Sequence, residues 1–473
     1  MTDIRYVCIS DMHLGEEDSL LTNLKPARND ADNSKAGPVL IKFVDCLREL
    51  ISHNNGDTKP TLILNGDILE LALTDDNEAL MAFERFIEQI FPKDAEALFE
   101  KVIYVPGNHD HHLWELARET QYIKYIQTIA PGDRFLESWH TTHMQSATDA
   151  NLIESTLLTA LVQRHAHLKN LTIHMAYPNY ALYDEASRRC VVFHHGHYME
   201  SLYHLMTELS CLIFPKHQRP QNIWDIEAEN FAWIDFFWST MGRSGDVGHE
   251  VEAIYEKLQD EKQFKKLLHS LADSLARKYD LPGPGDWAEA KLLKWLMDAV
   301  VDYLTKRERK QKGRTLSEEG KEGLSSFITG PLKNQLLSEL DEVPGEVTFV
   351  FGHTHKPYEA VYDDLPSWLN WVINTGGWVV ETVHPSPTHG ASVVLVDEQL
   401  NCASLRMYNE TANPSGDAVS LCKMERPGVP VNPLVERLSG QIHPEQSPWL
   451  DFSKAAAEAV VIRARAMKKR VTQ

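Results

Sequence analysis

The first 110 residues alternate between short apolar runs and longer segments with helical periodicity. Apolar runs lie at 4–10, 61–65 and 102–105, with helical patterns near 38–52 and 77–91. Such alternation is typical of βαβ units in an α/β fold. Further short strands are predicted at 171–177, 190–195, 347–351, 371–374 and 392–396. The pattern therefore predicts an α/β core formed by two separate stretches of the chain.

Between about 200 and 345 the apolar residues recur at three- and four-residue spacing, which predicts an all-helical insertion. Within it, Asp286 and Glu289 resemble a capping box that starts a helix over 287–305. Beyond about 411 the pattern weakens, until a helix-prone segment at 453–470. We therefore divide the chain into four parts: the first part of the core (1–200), the helical insertion (201–344), the second part of the core (345–410) and the C-terminal extension (411–473).

The composition is that of a globular protein without a membrane span. Of the 473 residues, 43% are hydrophobic and 24% are charged. No apolar run approaches the roughly 18 residues of a spanning helix, and the first residues lack a secretory pattern. The six cysteines are scattered without metal-ligand spacing, as expected for reduced thiols. These features predict a cytoplasmic protein.

The net charge of −21 disfavours nucleic acid as a partner, because a phosphate backbone calls for a basic surface. The last helix carries five basic residues in its second half and could lie on an anionic membrane. Its weak apolar content favours simple solvation or subunit packing instead. Peripheral membrane contact and a homo-oligomer both stay open.

Short polar clusters follow five of the predicted strands. They are Asp11-Met12-His13, Gly66-Asp67, Gly107-Asn108-His109-Asp110, His195-Gly196 and Gly352-His353-Thr354-His355. Each cluster alone is a weak signal, since Asn and Asp also end strands by bonding their own backbone. Their common position matters more, because sheets of this kind place their sites at the carboxyl ends of strands. We expect these side chains to meet at one edge.

Imidazoles mixed with carboxylates suit iron, manganese, zinc or nickel better than calcium or magnesium. Side-chain alternation along an extended backbone would place Asp11 and His13 on the same side, within reach of one ion. His353 and His355 repeat this spacing. Neighbouring glycines allow the sharp turns that direct these side chains into a common cavity.

The ordered set resembles the signature of the calcineurin-like metallophosphoesterases: DxH, GD, GNHD or GNHE, then H, then GHxH. The resemblance covers residues 1–200 and 345–400. It implies a four-layer αββα sandwich of two mixed sheets, here with a large helical insertion. It also implies two divalent cations, manganese favoured. One would be held by Asp11, His13 and His355, the other by Asn108, His195 and His353, with Asp67 bridging both.

The resemblance further implies hydrolysis of a phosphate ester by a hydroxide that the two metals activate, with His109 as general acid. Asp110 is the first candidate to orient His109, although another carboxylate could do so. The run HHGH leaves His194 and His197 as alternatives to His195.

Several substrates remain open within the superfamily: phosphomonoesters, phosphodiesters, lipid-sugar nucleotides and DNA. The net charge disfavours the nuclease. A lipid-sugar nucleotide pyrophosphohydrolase is disfavoured because those enzymes typically carry arginine at the position of His109. A non-catalytic metal-binding scaffold is the alternative of another class, but every ligand type is present here.

Overall fold

The computed structural model describes residues 2–25, 30–144, 152–214, 216–240, 315–411, 419–425 and 430–472. The predicted capping box and the helix over 287–305 lie outside these residues. None of the helices in the described ranges combines the length and apolar character needed to cross a membrane.

Thirteen strands form two mixed sheets in the described part of the chain. The strands are β1 (Ile4–Ile9), β2 (Thr61–Asn65), β3 (Lys101–Val105), β4 (Ile153–Glu154), β5 (Ile173–Met175), β6 (Asn179–Asp184), β7 (Arg189–His194), β8 (Glu346–Phe351), β9 (Tyr358–Ala360), β10 (Leu369–Asn374), β11 (Gly390–Asp397), β12 (Cys402–Asn409) and β13 (Ser420–Leu421).

The first sheet has the order β13-β12-β11-β1-β2-β3-β5-β4, and the second has the order β6-β7-β8-β10-β9. Strands β1, β2, β3 and β5 are parallel, as are β7, β8 and β10. The remaining pairs are antiparallel. The carboxyl ends of the parallel strands carry the polar clusters, so the topology gathers them as expected.

The helices are α1 (Pro38–Ser52), α2 (Asp76–Ile90), α3 (His111–Ile126), α4 (Thr156–Val162), α5 (Leu205–Ile213), α6 (Ile223–Ile234), α7 (Glu318–Phe327), α8 (Lys333–Leu340), α9 (Pro433–Ser439) and α10 (Trp449–Thr472). A π-helical turn continues α6 over Asp235–Ser239, and another joins α7 to α8 over Ile328–Leu332. In the described parts of 201–344, the regular structure consists of α-helices together with short 3₁₀ and π turns.

Three clusters of buried residues define the layers. One, including Cys8, Ile63, Val191 and Phe193, lies between the two sheets. A second joins the first sheet to α1, α2, α9 and α10, and a third joins the second sheet to α6, α7 and α8. Because apolar faces on both sides of each sheet must be covered, this arrangement gives helix, sheet, sheet and helix layers. The predicted α/β sandwich of two mixed sheets is confirmed, and the large helical insertion stays a prediction.

The last helix, α10, begins at Trp449, four residues before its predicted start. Its apolar residues, among them Phe452, Ala456 and Val460, pack into the chain's own core. Arg463 is buried and donates to the carbonyl of Thr22 at 2.7 Å. The apolar face is thus covered within the chain, a contact that its weak pattern did not predict.

Candidate metal centre

The first candidate ligands follow β1 in a turn. The backbone N–H groups of Asp11 and His13 donate to the carbonyls of Gly66 and Asp67 at 2.9 Å, which ties this turn to the one after β2. The φ angles of Asp11 and His13 are +49° and +44°. The predicted extended backbone is therefore wrong: both residues are left-handed, and the turn rather than side-chain alternation brings them together.

Left-handed backbone is concentrated in this site. Among the described residues nine non-glycine residues have positive φ, and five of them are candidate ligands: Asp11, His13, Asp67, His353 and His355. Each such residue costs of order 1 kcal/mol or more, so the fold must hold it in place. Strain of this kind clusters at functional sites.

Two glycines permit close approach rather than an unusual turn. A Cβ at Gly107 would overlap a carboxylate oxygen of Asp67, and a Cβ at Gly352 would overlap a carboxylate oxygen of Asp11. Each glycine therefore lets a candidate ligand lie directly against the neighbouring loop. Both glycines were predicted to allow sharp turns, whereas the structure shows that they allow close approach.

The first group of ligand atoms comprises Asp11, His13 and His355, all buried. His355 Nε2 lies 3.3 Å from Asp11 Oδ1 and 3.2 Å from His13 Nε2. Two imidazole nitrogens and a carboxylate oxygen thus converge within a few ångströms, as the ligands of one cation do. These are the three residues expected on the first metal.

The second group comprises Asp67, His195 and His353. His195 Nε2 lies 3.1 Å from Asp67 Oδ2, 3.3 Å from His353 Nδ1 and 3.1 Å from Asn108 Oδ1. Asp67 Oδ2 also lies 3.8 Å from His13 Nε2 of the first group. One carboxylate oxygen therefore faces both groups, which is the position that a bridging ligand requires.

The electrostatics of the two groups favour cations. Burial disfavours the charged form of Asp67, but the charges of His195 and His109 outweigh burial and hold the pKa of Asp67 well below its ordinary value. Burial also disfavours the charged form of His195, yet Asp67 and Asp11 raise the pKa of His195 to about 9. The carboxylates attract positive charge to this point, which two divalent ions would supply. The donor set therefore fits such ions.

The alternatives His194 and His197 belong to none of the three groups of possible metal ligands among the described residues, the third being His13, Glu70 and His109. His194 stacks on His197 and makes a tilted ring contact with Phe327, and His197 Nε2 lies 3.3 Å from the hydroxyl of Tyr177. Burial and neighbouring histidines hold the pKa of both imidazoles well below the ordinary value. Of the three histidines, the structure brings only His195 to Asp67.

His109 lies beside the first group, with its ring 4.9 Å from that of His13 in an edge-to-face contact. Its backbone N–H donates to Asp67 Oδ1 at 2.8 Å. Its Nδ1 lies 2.9 Å from Glu70 Oε1 and 2.8 Å from Glu70 Oε2. The carboxylate against the ring is thus Glu70.

Asp110, the first candidate to orient His109, has other partners. Its carboxylate accepts from the backbone N–H of Ile68 at 2.8 Å and of Gly107 at 2.6 Å, and from the hydroxyl of Tyr104. Burial and the charge of Asp67 raise its pKa. Asp110 therefore joins the loops after β2 and β3. The geometry favours the alternative, another carboxylate, which is Glu70.

Three carboxylates that lie outside the sequence motifs, and were not predicted, contact candidate ligands. His13 Nδ1 lies 2.6 Å from Glu70 Oε2, His355 Nδ1 lies 2.7 Å from Glu381 Oε1, and His353 Nε2 lies 3.4 Å from Glu200 Oε1. Such partners fix which ring nitrogen is left for a metal. The sequence signal that could have identified Glu70 is its position, three residues after Asp67.

A cavity of about 620 Å³ opens beside Glu200. Its described lining comes from α5 and the segment before it, the loop 219–221, α6, and α7 with the turns beside it, and it includes Glu200, Glu208, Glu319 and Glu322. Arg219 also lines it but is paired with Glu208. The charged side chains of the described lining are therefore mostly acidic, although most lining residues are neutral.

Residues 4–207 match the family model described as calcineurin-like phosphoesterase. This match, together with the fold and the two ligand groups, confirms that the chain carries a domain of the calcineurin-like metallophosphoesterase superfamily. The family suggests a metal-dependent phosphoric ester hydrolase. The matched residues end before His353 and His355, whose place in the site rests on geometry. No curated protein matches the chain.

Proposed function

We propose that this chain hydrolyses a phosphate ester with two divalent cations, manganese favoured, and with His109 as general acid. The observation that carries the proposal is the position of Asp67, whose Oδ2 lies 3.1 Å from His195 Nε2 and 3.8 Å from His13 Nε2. One carboxylate between two imidazole groups is a binuclear arrangement. A solitary structural cation would need only one of these groups.

In this proposal Asp11, His13 and His355 hold one ion, Asn108, His195 and His353 hold the other, and Asp67 bridges them. When bound, the ions would supply positive charge that polarises the phosphoryl oxygens and lowers the pKa of water. The chain's own task is to hold these seven side chains, from five loops, at fixed spacing. Their burial excludes bulk water, which strengthens each electrostatic contact.

His109 is suited to deliver a proton to the leaving oxygen. Glu70 holds Nδ1, so Nε2 is the nitrogen that can face a substrate. Proton transfer from a positioned side chain contributes on the order of 10²–10⁴-fold in rate. The benefit is greatest when the leaving oxygen is strongly basic.

The four glutamates along the cavity beside Glu200 disfavour a polyanionic substrate at this side of the site. A nucleic acid strand would meet Glu200, Glu319 and Glu322 with its own negative phosphates. This agrees with the net charge of −21. We place phosphomonoesters and small phosphodiesters ahead of nucleic acid.

The test uses the purified full chain, stripped with a chelator and reloaded with manganese, zinc or magnesium. Hydrolysis of p-nitrophenyl phosphate is compared with that of bis-p-nitrophenyl phosphate to separate monoester from diester activity. We expect activity that chelation abolishes and manganese restores. Full activity in metal-free protein would refute the mechanism, and binding of two ions without hydrolysis of any ester would leave a metal-binding scaffold.

A further inference from the structure

A buried carboxylate of the insertion lies behind the candidate metal centre. Glu227 belongs to α6 and is fully buried. Its Oε1 accepts from His111 Nε2 at 2.9 Å, and its Oε2 accepts from the hydroxyls of Tyr177, at 3.0 Å, and Tyr198. One side chain therefore satisfies three donors that are far apart in the sequence.

Two of these donors adjoin segments that carry candidate ligands of the same metal. His111 is the first residue of α3 and lies three residues after Asn108. Tyr198 lies in the 3₁₀ turn His197–Met199, three residues after His195. Tyr177 follows β5 and stacks on Trp114 of α3, with ring centroids 5.2 Å apart. Glu227 thus joins the loop of Asn108 to the loop of His195.

The contact between Glu227 and His111 is a buried ion pair. Burial disfavours a charged His111, but Glu227 and Asp235 raise the pKa of His111 to about 9, so it is cationic at neutral pH. Asp235 lies 3.5 Å from His111 Nδ1 and 3.2 Å from His112 Nδ1. A buried pair of this kind is sensitive to loss of one partner, because the other charge is left uncompensated. Neutralising Glu227 should therefore displace His111 and the start of α3.

We propose that Glu227 is a positioning residue that holds Asn108 and His195 at the spacing required by the second metal ion. The helical insertion is then a structural part of the metal centre. This inference rests on the binuclear part of the proposed function and is independent of which ester is hydrolysed.

The test compares Glu227→Gln with wild type by calorimetric titration of the metal-free full chain with Mn²⁺. The matched control is Glu229→Gln on the same helix. Glu229 accepts from the hydroxyl of Thr207 at 2.7 Å and lies 2.9 Å from His217 Nε2, and neither of these partners is a candidate ligand. Electron paramagnetic resonance of the same samples reports whether the two ions are spin-coupled.

We expect one Mn²⁺ to bind Glu227→Gln about 10-fold more weakly. This is the lower end of the roughly 10- to 100-fold loss typical of a carboxylate bonded directly to a ligand, because Glu227 acts through His111 and Tyr198. The other ion should bind within about twofold of wild type, and the coupled signal should fall at limiting Mn²⁺. Excess Mn²⁺ should restore much of the signal and of kcat, which a general loss of folding would not allow. Glu229→Gln should match wild type.

Unchanged affinities for both ions in a folded Glu227→Gln would overturn the inference, as would equal weakening by Glu229→Gln. If Glu227→Gln does not fold, Tyr198→Phe decides, because it removes one donor and keeps the ring; unchanged affinity there also overturns the inference. A wild type that binds two ions but hydrolyses no ester refutes only the proposed function, and the affinity comparison still decides the role of Glu227.

Discussion

Glu70 connects a candidate metal ligand to the candidate acid, and replacing it by glutamine separates these two roles. Its Oε1 accepts from the backbone N–H groups of Ala72 and Leu73, both at 2.9 Å. These two bonds fix the orientation of a glutamine, because only its carbonyl oxygen can accept them. The amide NH₂ must then occupy the position of Oε2.

That position faces His13 Nδ1 at 2.6 Å, so Glu70→Gln would set a donor against a donor. His13 must then carry its proton on Nε2, the nitrogen that faces His355 and Asp67. A protonated Nε2 cannot bind a metal. We therefore expect Mn²⁺ affinity to fall about 10- to 100-fold.

His109 should be affected less, because its Nδ1 also lies 2.9 Å from Oε1, where the glutamine oxygen remains. It exchanges a charged acceptor for a neutral one, a difference of about 1 kcal/mol. At saturating Mn²⁺ we therefore expect kcat on an alkyl phosphate ester to fall about 5- to 10-fold.

The assay measures bound Mn²⁺ by calorimetry and kcat at saturating metal, with Glu100→Gln as control. Glu100 is exposed and lies before β3, at the opposite end of the strand from the site. Unchanged Mn²⁺ affinity in Glu70→Gln would refute the reasoning about His13. A loss of kcat without any loss of affinity would assign Glu70 to His109 alone.

Three further predictions address the acid, the bridge and the insertion. His109→Ala should retain its metals and lose about 10²-fold or more in kcat on alkyl esters but much less on nitrophenyl esters; equal losses over a series of leaving-group pKa values would reject it as the acid. Asp67→Asn should lower both bound metal and turnover, whereas Cys46→Ala should change neither; unchanged metal stoichiometry in Asp67→Asn would exclude bridging. The pKa of His111 is raised to about 9 in the folded chain. The contribution of protonated His111 to folding stability is therefore complete below about pH 6.5, the ordinary pKa of histidine, and is lost as the pH rises through 9. The Tm of metal-free wild type should therefore fall over this window, and that of Glu227→Gln should fall less; parallel pH profiles would contradict the ion pair.

The parallel strands of both sheets could be predicted closely from local pattern. The runs at 61–65 and 38–52 coincide with β2 and α1, because an uninterrupted apolar run and a three- and four-residue period have few alternative structures. Strands β6 and β12 were missed, as were the short strands β4, β9 and β13. Strand β6 lies just after a Tyr177-Pro178 pair, and β12 contains Arg406, so neither forms a clean apolar run.

The ligand residues could be found because they follow strands, but their local conformation could not. The expectation for Asp11 and His13 assumed an extended chain, whereas both are left-handed. Their φ values depend on hydrogen bonds to the turn at Gly66 and Asp67, more than 50 residues away. Long-range backbone bonds of this kind leave no periodicity in the sequence.

The outer carboxylates mark the limit of motif reasoning for a different physical reason. A buried carboxylate is stable only with partners, and those of Glu227 lie at 111, 177 and 198, in three separate segments. Within one sequence, Glu227 is one acid among 68 acidic residues. Only the fold shows that it is buried and therefore must be paired. The same reasoning applies to Asp11, Asp67, Glu70 and Asp110, four buried carboxyls at one edge whose mutual repulsion requires positive charge nearby. Histidines supply part of that charge in the metal-free protein, and two divalent ions would supply more. Metal binding should therefore stabilise this edge of the fold as well as provide its chemistry.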